Sequence, residues 1–437
     1  MSDAEDSDAK PSEAAEEAAE EAAESPRKTK AEAFDPSAVD PIRKTAYRDD
    51  GVPKVKAVKV PPTLWQRATY RWTAITAVMA ALLVLYTQHP YYLGNQFAPF
   101  RSFYTPAFVL WLVLGLFYVR ATLEKFKGTR FAMRDGGLHL LILAKAFGKH
   151  RFWQMAKTPR IRTTLLGIVV KGFYTPLMIG FFSGHANGIA EAWLRHKHLP
   201  GLKFVLVKGL PWEQAASWFS QMRARIPDLI PSSSDFTGFF AMGSWTRGDV
   251  SWGLGLAYDI AFFVDCGWAL MGYTLESRWL GNKTRSVEPT VLGWAAALSC
   301  YPPYNNVLGT YLPLENGKAW ITDDTTLLWL RGITVFLFTI YATATVAFGF
   351  KFSNLTNRGI VSRGPYRFVR HPAYLTKCMA WWLEHLPTLT LTKAFFLSLL
   401  CGVYALRAWT EERHLSHDPE YRAYKKKVPW VFCPGIY

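Results

Sequence analysis

The chain has 437 residues and a formal net charge of +16; half of it is hydrophobic, 15% is Phe, Trp or Tyr, and only 19% is charged, against about 25% in a soluble domain. That balance excludes an ordinary soluble globule and points to a protein threaded through a membrane. The positive charge does not describe a nucleic-acid surface, because Lys and Arg fall in short blocks between apolar runs, the pattern of basic cytoplasmic loops.

Residues 1–24 hold ten acids, one Lys and no aromatic residue, a net of −9 that leaves +25 on the remainder. With no apolar face to bury and no apolar core for a signal peptide, residues 1–60 are predicted to be a disordered acidic and then basic tail. Apolar runs follow at about 72–92, 103–123, 164–184 and 252–275, each near the length of about 20 residues needed to cross a bilayer. "LHLLILAKAF" (138–147), within the basic stretch after the second run, is too short to span and is expected at the interface. Residues 185–250 are Trp-rich and mixed, and read as amphipathic loops outside the bilayer core. A fifth run starts near 291 but meets "YPPYNN" at 301–306, so it is short, broken or re-entrant. A sixth covers 325–350. The last apolar stretch, 378–406, is interrupted at "EHLPTLTLTK" and reads as a tight helical hairpin that returns to its starting side.

The Lys/Arg blocks at 42–71, 124–163, 351–377 and 407–437 then share the cytoplasmic side, with both termini. The expected architecture is all-α: an integral membrane protein, of the bacterial inner-membrane kind, with about seven or eight transmembrane segments, a C-terminal helical hairpin and a cytosolic tail. Three regions follow: the tail (1–60), an N-terminal membrane domain (61–350) and a C-terminal module (351–437). Cys266, Cys300, Cys378, Cys401 and Cys433 form no C-x-x-C pair and read as reduced packing residues. "HKH" at 196–198 has no nearby carboxylate and makes a weak metal site, so no metal is expected.

The densest chemistry lies at "RGPYRFVRHPAYLTK", residues 363–377. Pro372 has no N–H and a fixed backbone angle, so a helix should start there; His371 before it is pushed toward an extended conformation. The first free amides of that helix make an anion site, which Arg370 would strengthen, while Gly364–Pro365 turns the preceding strip back. The second block is "RAWTEERHLSHDPEYRAYKKKVPWVFCPGIY", residues 407–437. Arg407 and Glu411 are four apart and can touch. Glu412 points about 140° away from Arg407 and can share a partner with it only through a ligand. Tyr421 and Tyr424 follow at helical spacing, then Lys425, Lys426 and Lys427, a run suited to lipid headgroups.

Through Gly364, Pro365, Tyr366, Arg370, His371, Pro372 and Tyr374, and through Arg407, Glu411, Glu412, Leu415, Tyr421, Tyr424, Val428 and Pro429, about the last 85 residues resemble the integral-membrane methyltransferases. That family includes isoprenylcysteine carboxyl methyltransferase and phospholipid N-methyltransferases. The resemblance implies S-adenosylmethionine bound among helices and tail on the cytoplasmic side, and a lateral tunnel for a membrane lipid or lipidated acceptor. It assigns cofactor binding to Arg370, His371, Pro372, Tyr374, Leu375, Glu411 and Glu412, and places Arg407 and Glu412 at the acceptor as catalytic residues. A carboxylate acceptor would need only an Arg to hold it; an amine would need a base, with Glu412 or His371 as candidates. Two features depart from the family: Thr376 stands where Gly is usual, and "VPWVFCPGIY" is closer to the ending of the membrane sterol reductases. An NADPH-dependent reductase is therefore the alternative enzyme. The charges Lys171, Asp259 and Asp265 inside apolar runs read as a packing ion pair; a headgroup or ion path there would instead fit a transporter or scaffold.

Overall fold

The computed structural model describes residues 62–125, 132–148, 151–196, 247–276, 280–312, 314 and 317–435. The acidic tail and residues 197–246 of the Trp-rich 185–250 segment lie outside them, as does most of the 196–198 triplet. Every long element is a helix, and the described strands are two two-residue pieces, β1 (Ser286–Val287) and β2 (Thr356–Asn357), paired antiparallel with Ser286 opposite Asn357.

Helix α1 (Leu64–Gln88) starts at a reciprocal cap: the Gln66 amide donates to Thr63 Oγ1 (3.2 Å) and the Thr63 amide to Gln66 Oε1 (2.9 Å), a start signal that needs no tertiary support. Helix α2 (Ala98–Lys125) returns beside it and carries Pro106 without breaking. The interfacial stretch forms the 15-residue α3 (Ala132–Ala146). Helix α4 (Pro159–His196) has 38 residues, about 57 Å at about 1.5 Å per residue, so it overreaches a hydrocarbon core of about 30 Å. Helices α5 (Arg247–Thr274), α8 (Asp324–Phe348) and α10 (Leu391–Leu415) complete a set of six among the described residues that are long and apolar enough to cross a membrane, beside the seven or eight segments expected from the apolar runs.

The difference lies in two places. The fifth apolar run is split into α6 (Val291–Leu298) and α7 (Tyr304–Tyr311), eight residues each, about 12 Å apiece and too short to span alone. The chain still travels from one end of the bundle to the other through them. At one end the Glu288 amide donates to the Leu355 carbonyl (2.7 Å); at the other Gly317 and Trp320 amides donate to Thr388 and Pro387 carbonyls (3.2 and 3.0 Å). This return lets α5 and α8 run parallel, with Arg247 and Asp324 3.9 Å apart at their starts. The first hairpin arm, α9 (Pro372–His385), has only 14 residues and turns through Leu386–Thr388 into α10, which places Glu384 and His385 at the tip as expected.

The intramembrane charges pair differently from the expectation. Lys171 Nζ lies 2.5 Å from Glu276 Oε2, Asp259 takes His185 Nδ1 at 2.9 Å, and Asp265 accepts from Thr345 Oγ1 at 2.5 Å. The reason is antiparallel register. Moving fourteen residues along α4 from Lys171 to His185 corresponds to moving seventeen back from Glu276 to Asp259, so Asp259 is more than about 20 Å from Lys171 along the axis. Sequence marks which residues are charged; the register of two helices decides which charges meet. Between these helices the core is aromatic: Tyr86, Tyr92, Phe97, Tyr174 and Tyr273 are buried, and Tyr174 stacks on Tyr273 with ring centres 5.3 Å apart.

Candidate functional site

After α8 the chain cannot continue as a helix: Gly349 takes φ +57° and Leu355, a non-glycine residue, takes φ +62°, a conformation that costs a branched side chain and needs outside support. Three sets of contacts supply it. The Asn282 side-chain amide donates to the Leu275 and Phe350 carbonyls (2.5 and 2.9 Å), the buried Arg358 guanidinium donates to the Gly272 carbonyl, and β2 is held by β1. Gly272 is required there, because a Cβ would run into the Phe352 carbonyl. Glu276 gathers Lys171, the Thr284 amide (2.9 Å) and Arg358 (3.8 Å). Burial opposes its ionisation, but Lys171, the Thr284 amide and Arg358 outweigh burial and hold its carboxyl down at about 2.

The loop so fixed forms one wall of a pocket of about 1290 Å³, including its open mouth. The other walls are α6, the inner face of α8, the start of α9, the end of α10 and α11 (Pro419–Lys427). Helix α9 begins at Pro372 as the sequence predicts, while His371 has φ −126° and ψ +58°, short of a fully extended backbone. No side chain caps α9, and Ala373 and Tyr374, whose amides follow Pro372, both line the pocket. Gly364, at φ +60°, turns the strip before it. The tail then straps this block: Arg370 and His371 amides donate to the Trp430 and Val431 carbonyls (2.9 and 3.0 Å), and Tyr424 Oη donates to the Tyr366 carbonyl (2.7 Å). Asp418 caps α11 and accepts from Asn357 (2.8 Å) and Arg285 (2.9 Å); burial opposes its ionisation, but these donors hold its carboxyl below the ordinary range.

The structure brings the two polar blocks together. Tyr374 Oη donates to Glu411 Oε1 at 2.6 Å, and Arg407 Nε donates to the same oxygen at 3.1 Å, the expected four-residue contact. Arg407 is 4% exposed; its NH2 donates to Asn354 Oδ1 (2.6 Å), and its guanidinium carbon lies 5.1 and 5.6 Å from the ring centres of Tyr374 and Tyr301. His371 stacks on Tyr374, with Nδ1 4.0 Å from Glu411 and Nε2 3.4 Å from Glu412 but in hydrogen-bonding line with no group. Arg370, His371, Tyr374, Arg407 and Glu411 all line the pocket. Pro372, Leu375 and Glu412 do not. Pro372 starts the helix, and Glu412 faces Arg370 (2.6 and 3.2 Å) and Lys425 (3.2 Å) behind the pocket wall. Arg370 also donates to the Val428 and Pro429 carbonyls (2.9 and 2.6 Å). Four of its five N–H donors thus hold the tail and Glu412.

Several pocket residues lie outside both sequence blocks. Glu288, 2% exposed, faces Arg413 and His414 from the start of α6, and Tyr301, Asn354 and Lys351 come from loops. Asn354 joins three of the site's side chains into one chain of contacts by donating to Tyr301 Oη (3.0 Å) while accepting from Arg407. Its position in "KFSNLTNRG" carries no local signal beyond polarity after a helix.

Residues 327–417 match the model of the isoprenylcysteine carboxyl methyltransferase (ICMT) family. The matched stretch begins inside α8, covers the hairpin and ends just after α10, so it contains Arg370, His371, Tyr374, Arg407, Glu411 and Glu412. It supports a membrane methyltransferase in general, in keeping with the six helices among the described residues that are long and apolar enough to cross a membrane. No curated protein and no solved structure gives a match.

Proposed function

We propose that this pocket binds S-adenosylmethionine and that the protein methylates an acceptor embedded in the membrane. The observation that carries the reading is the junction of the two blocks: Tyr374 and Arg407 meet on Glu411 at one pocket wall, within the region that matches the methyltransferase family. The residues fit the cofactor. The uncapped amides of Ala373 and Tyr374 suit its carboxylate. Glu411 and the faces of Tyr374 and Tyr366 suit its positive end. When bound, it supplies an electrophilic methyl group.

The chain's own task is then alignment, which can account for much of the acceleration of a displacement reaction. Arg407 is held rigidly by Glu411, Asn354 and two aromatic faces, and it presents its charge to the acceptor end. His371, between Glu411 and Glu412, is the group placed to take a proton if the acceptor is an amine. Glu412 supports the site from behind through Arg370, a positioning role in place of direct contact with the acceptor. The basic 351–377 and 407–437 segments would put the pocket mouth on the cytoplasmic side, and the lipid or lipidated acceptor would enter from the bilayer.

The test is methyl transfer itself. Purified protein in native-lipid nanodiscs is incubated with methyl-labelled S-adenosylmethionine, and the lipid fraction is assayed for label. The expected result is incorporation that falls at least about 100-fold in Arg407→Met. Label absent from every lipid and protein fraction, with intact binding sites for NADPH, would replace the methyltransferase by the reductase.

A further inference from the structure

A second cavity opens at the other end of the bundle, where the hairpin tip meets α5 and α8. It encloses about 850 Å³, open mouth included, and its wall takes Tyr258 from α5, Arg331, Thr334 and Val335 from α8, and Leu383 and Glu384 from α9. It shares no wall residue with the pocket around Glu411. Arg331 precedes Phe348, the last residue of α8, by seventeen positions, about 25 Å at about 1.5 Å per residue. The cavity therefore sits near the opposite face of a bilayer whose hydrocarbon core is about 30 Å thick.

Its polar groups stand at two depths. Arg331 and Glu384 are exposed at the rim. Arg331 acts on Glu384 electrostatically, yet among the described residues neither forms a salt bridge or a hydrogen bond. Lys393, the other cation of the tip, is buried and donates to Thr388 Oγ1 (2.7 Å). Thr334 lies three residues further along α8, about one turn deeper. It is 4% exposed, and its Oγ1 has no hydrogen-bond partner. Thr339 and Thr343 on the same helix do donate to carbonyls one turn back (2.9 and 2.7 Å). A buried hydroxyl without an acceptor is uncommon, and this one lines a cavity.

A purely apolar occupant would leave that hydroxyl and both rim charges unanswered. An anionic head would meet Glu384 and a cationic head would meet Arg331, whereas a head carrying both signs suits both. We infer that this cavity binds a zwitterionic diacyl phospholipid. Its phosphate lies at Arg331, its ammonium at Glu384, and an ester carbonyl one turn deeper accepts from Thr334, with an acyl chain along Val335 and Leu383. The bound lipid joins the hairpin tip to α5 and α8. The inference is independent of the methyl-transfer reading.

The experiment titrates the full-length protein in neutral detergent with three lipids of identical chains: palmitoyl-oleoyl phosphatidylethanolamine, phosphatidylglycerol and diacylglycerol. Native mass spectrometry reads the tightest bound copy of each. Wild type is expected to bind phosphatidylethanolamine at least about 10-fold tighter than either of the others. Glu384→Gln should bring it down to the phosphatidylglycerol level, Arg331→Gln to the diacylglycerol level, and Arg331→Lys should keep most of the preference. Thr334→Val should weaken all three lipids about threefold and leave their order unchanged. Purely structural roles for these residues would lower the melting temperature without moving the preference, and thermal melts of the same samples separate the two effects. Equal binding of the three lipids by wild type, or an unchanged preference in folded Glu384→Gln and Arg331→Gln, overturns the proposal. S-adenosylhomocysteine affinity is expected to stay within about twofold in every variant; its absence from wild type would remove the methyl-transfer reading and leave the lipid site standing.

Discussion

Glu411 and Glu412 are neighbours in sequence, yet α10 turns their carboxylates about 100° apart, and the two sides of the helix use them differently. Glu411 faces the pocket and shares Oε1 between Tyr374 and Arg407. Glu412 faces the tail and is closed into a pair with Arg370 whose remaining donors hold the Val428 and Pro429 carbonyls. One acid lines the pocket and the other lies behind its wall, bonded to the residue that holds the tail. Two adjacent residues of one motif therefore face different partners, a division that residue type alone does not show.

The comparison breaks most visibly at Arg370. Arg370→Ala orphans the Val428 and Pro429 carbonyls and leaves Glu412 with only Lys425 and His371 beside it, which should cost about 3 kcal/mol, the low end for a broken buried pair. Thermal unfolding followed by Trp fluorescence should show its largest loss in this variant, whereas Glu411→Gln should change stability by less than about 1 kcal/mol. Equal losses would mean that both acids are struts. Next in size is Gly272→Ala, whose methyl meets the Phe352 carbonyl under the loop that carries Asn354; overpacking of this kind costs about 1–3 kcal/mol.

Glu276 sharpens the contrast through pH. Its folded carboxyl is held at about 2, below the ordinary 4.5. Its contribution is therefore fully present above pH 4.5 and is lost as pH falls through the window from 4.5 toward 2. Wild type should lose unfolding temperature between pH 5 and 3, and Glu276→Gln, starting lower, should lose less over the same interval. Parallel curves would mean that Glu276 does not brace the loop. The smallest effect is expected at Glu420, whose bridge to Arg285 is solvent-exposed: Glu420→Ala should cost less than about 1 kcal/mol and vanish in high salt.

Much of this architecture is legible in the chain. Four of the first apolar runs and the hairpin become helices close to where hydropathy places them, and Pro372 starts α9 because its ring dictates a first helical turn. The contact between Arg407 and Glu411 follows from helical spacing alone. What could not be read is whatever depends on how one helix is set against another. Lys171 meets Glu276 because of the register of α4 on the chain following α5. The broken α6–α7 crossing brings Tyr301 to Asn354, 53 residues away in sequence, in the pocket wall. Lys377 looks like an interfacial lysine until rings from three helices surround it.

The most direct test of the central claim is calorimetric titration of the full-length protein in detergent with S-adenosylhomocysteine, beside NADPH. A pocket formed where the two blocks meet predicts micromolar binding of S-adenosylhomocysteine, weakened about tenfold or more in Glu411→Gln, and no binding of NADPH. Tight NADPH binding with no response to S-adenosylhomocysteine, or affinity for the latter that Glu411→Gln leaves untouched, would contradict it.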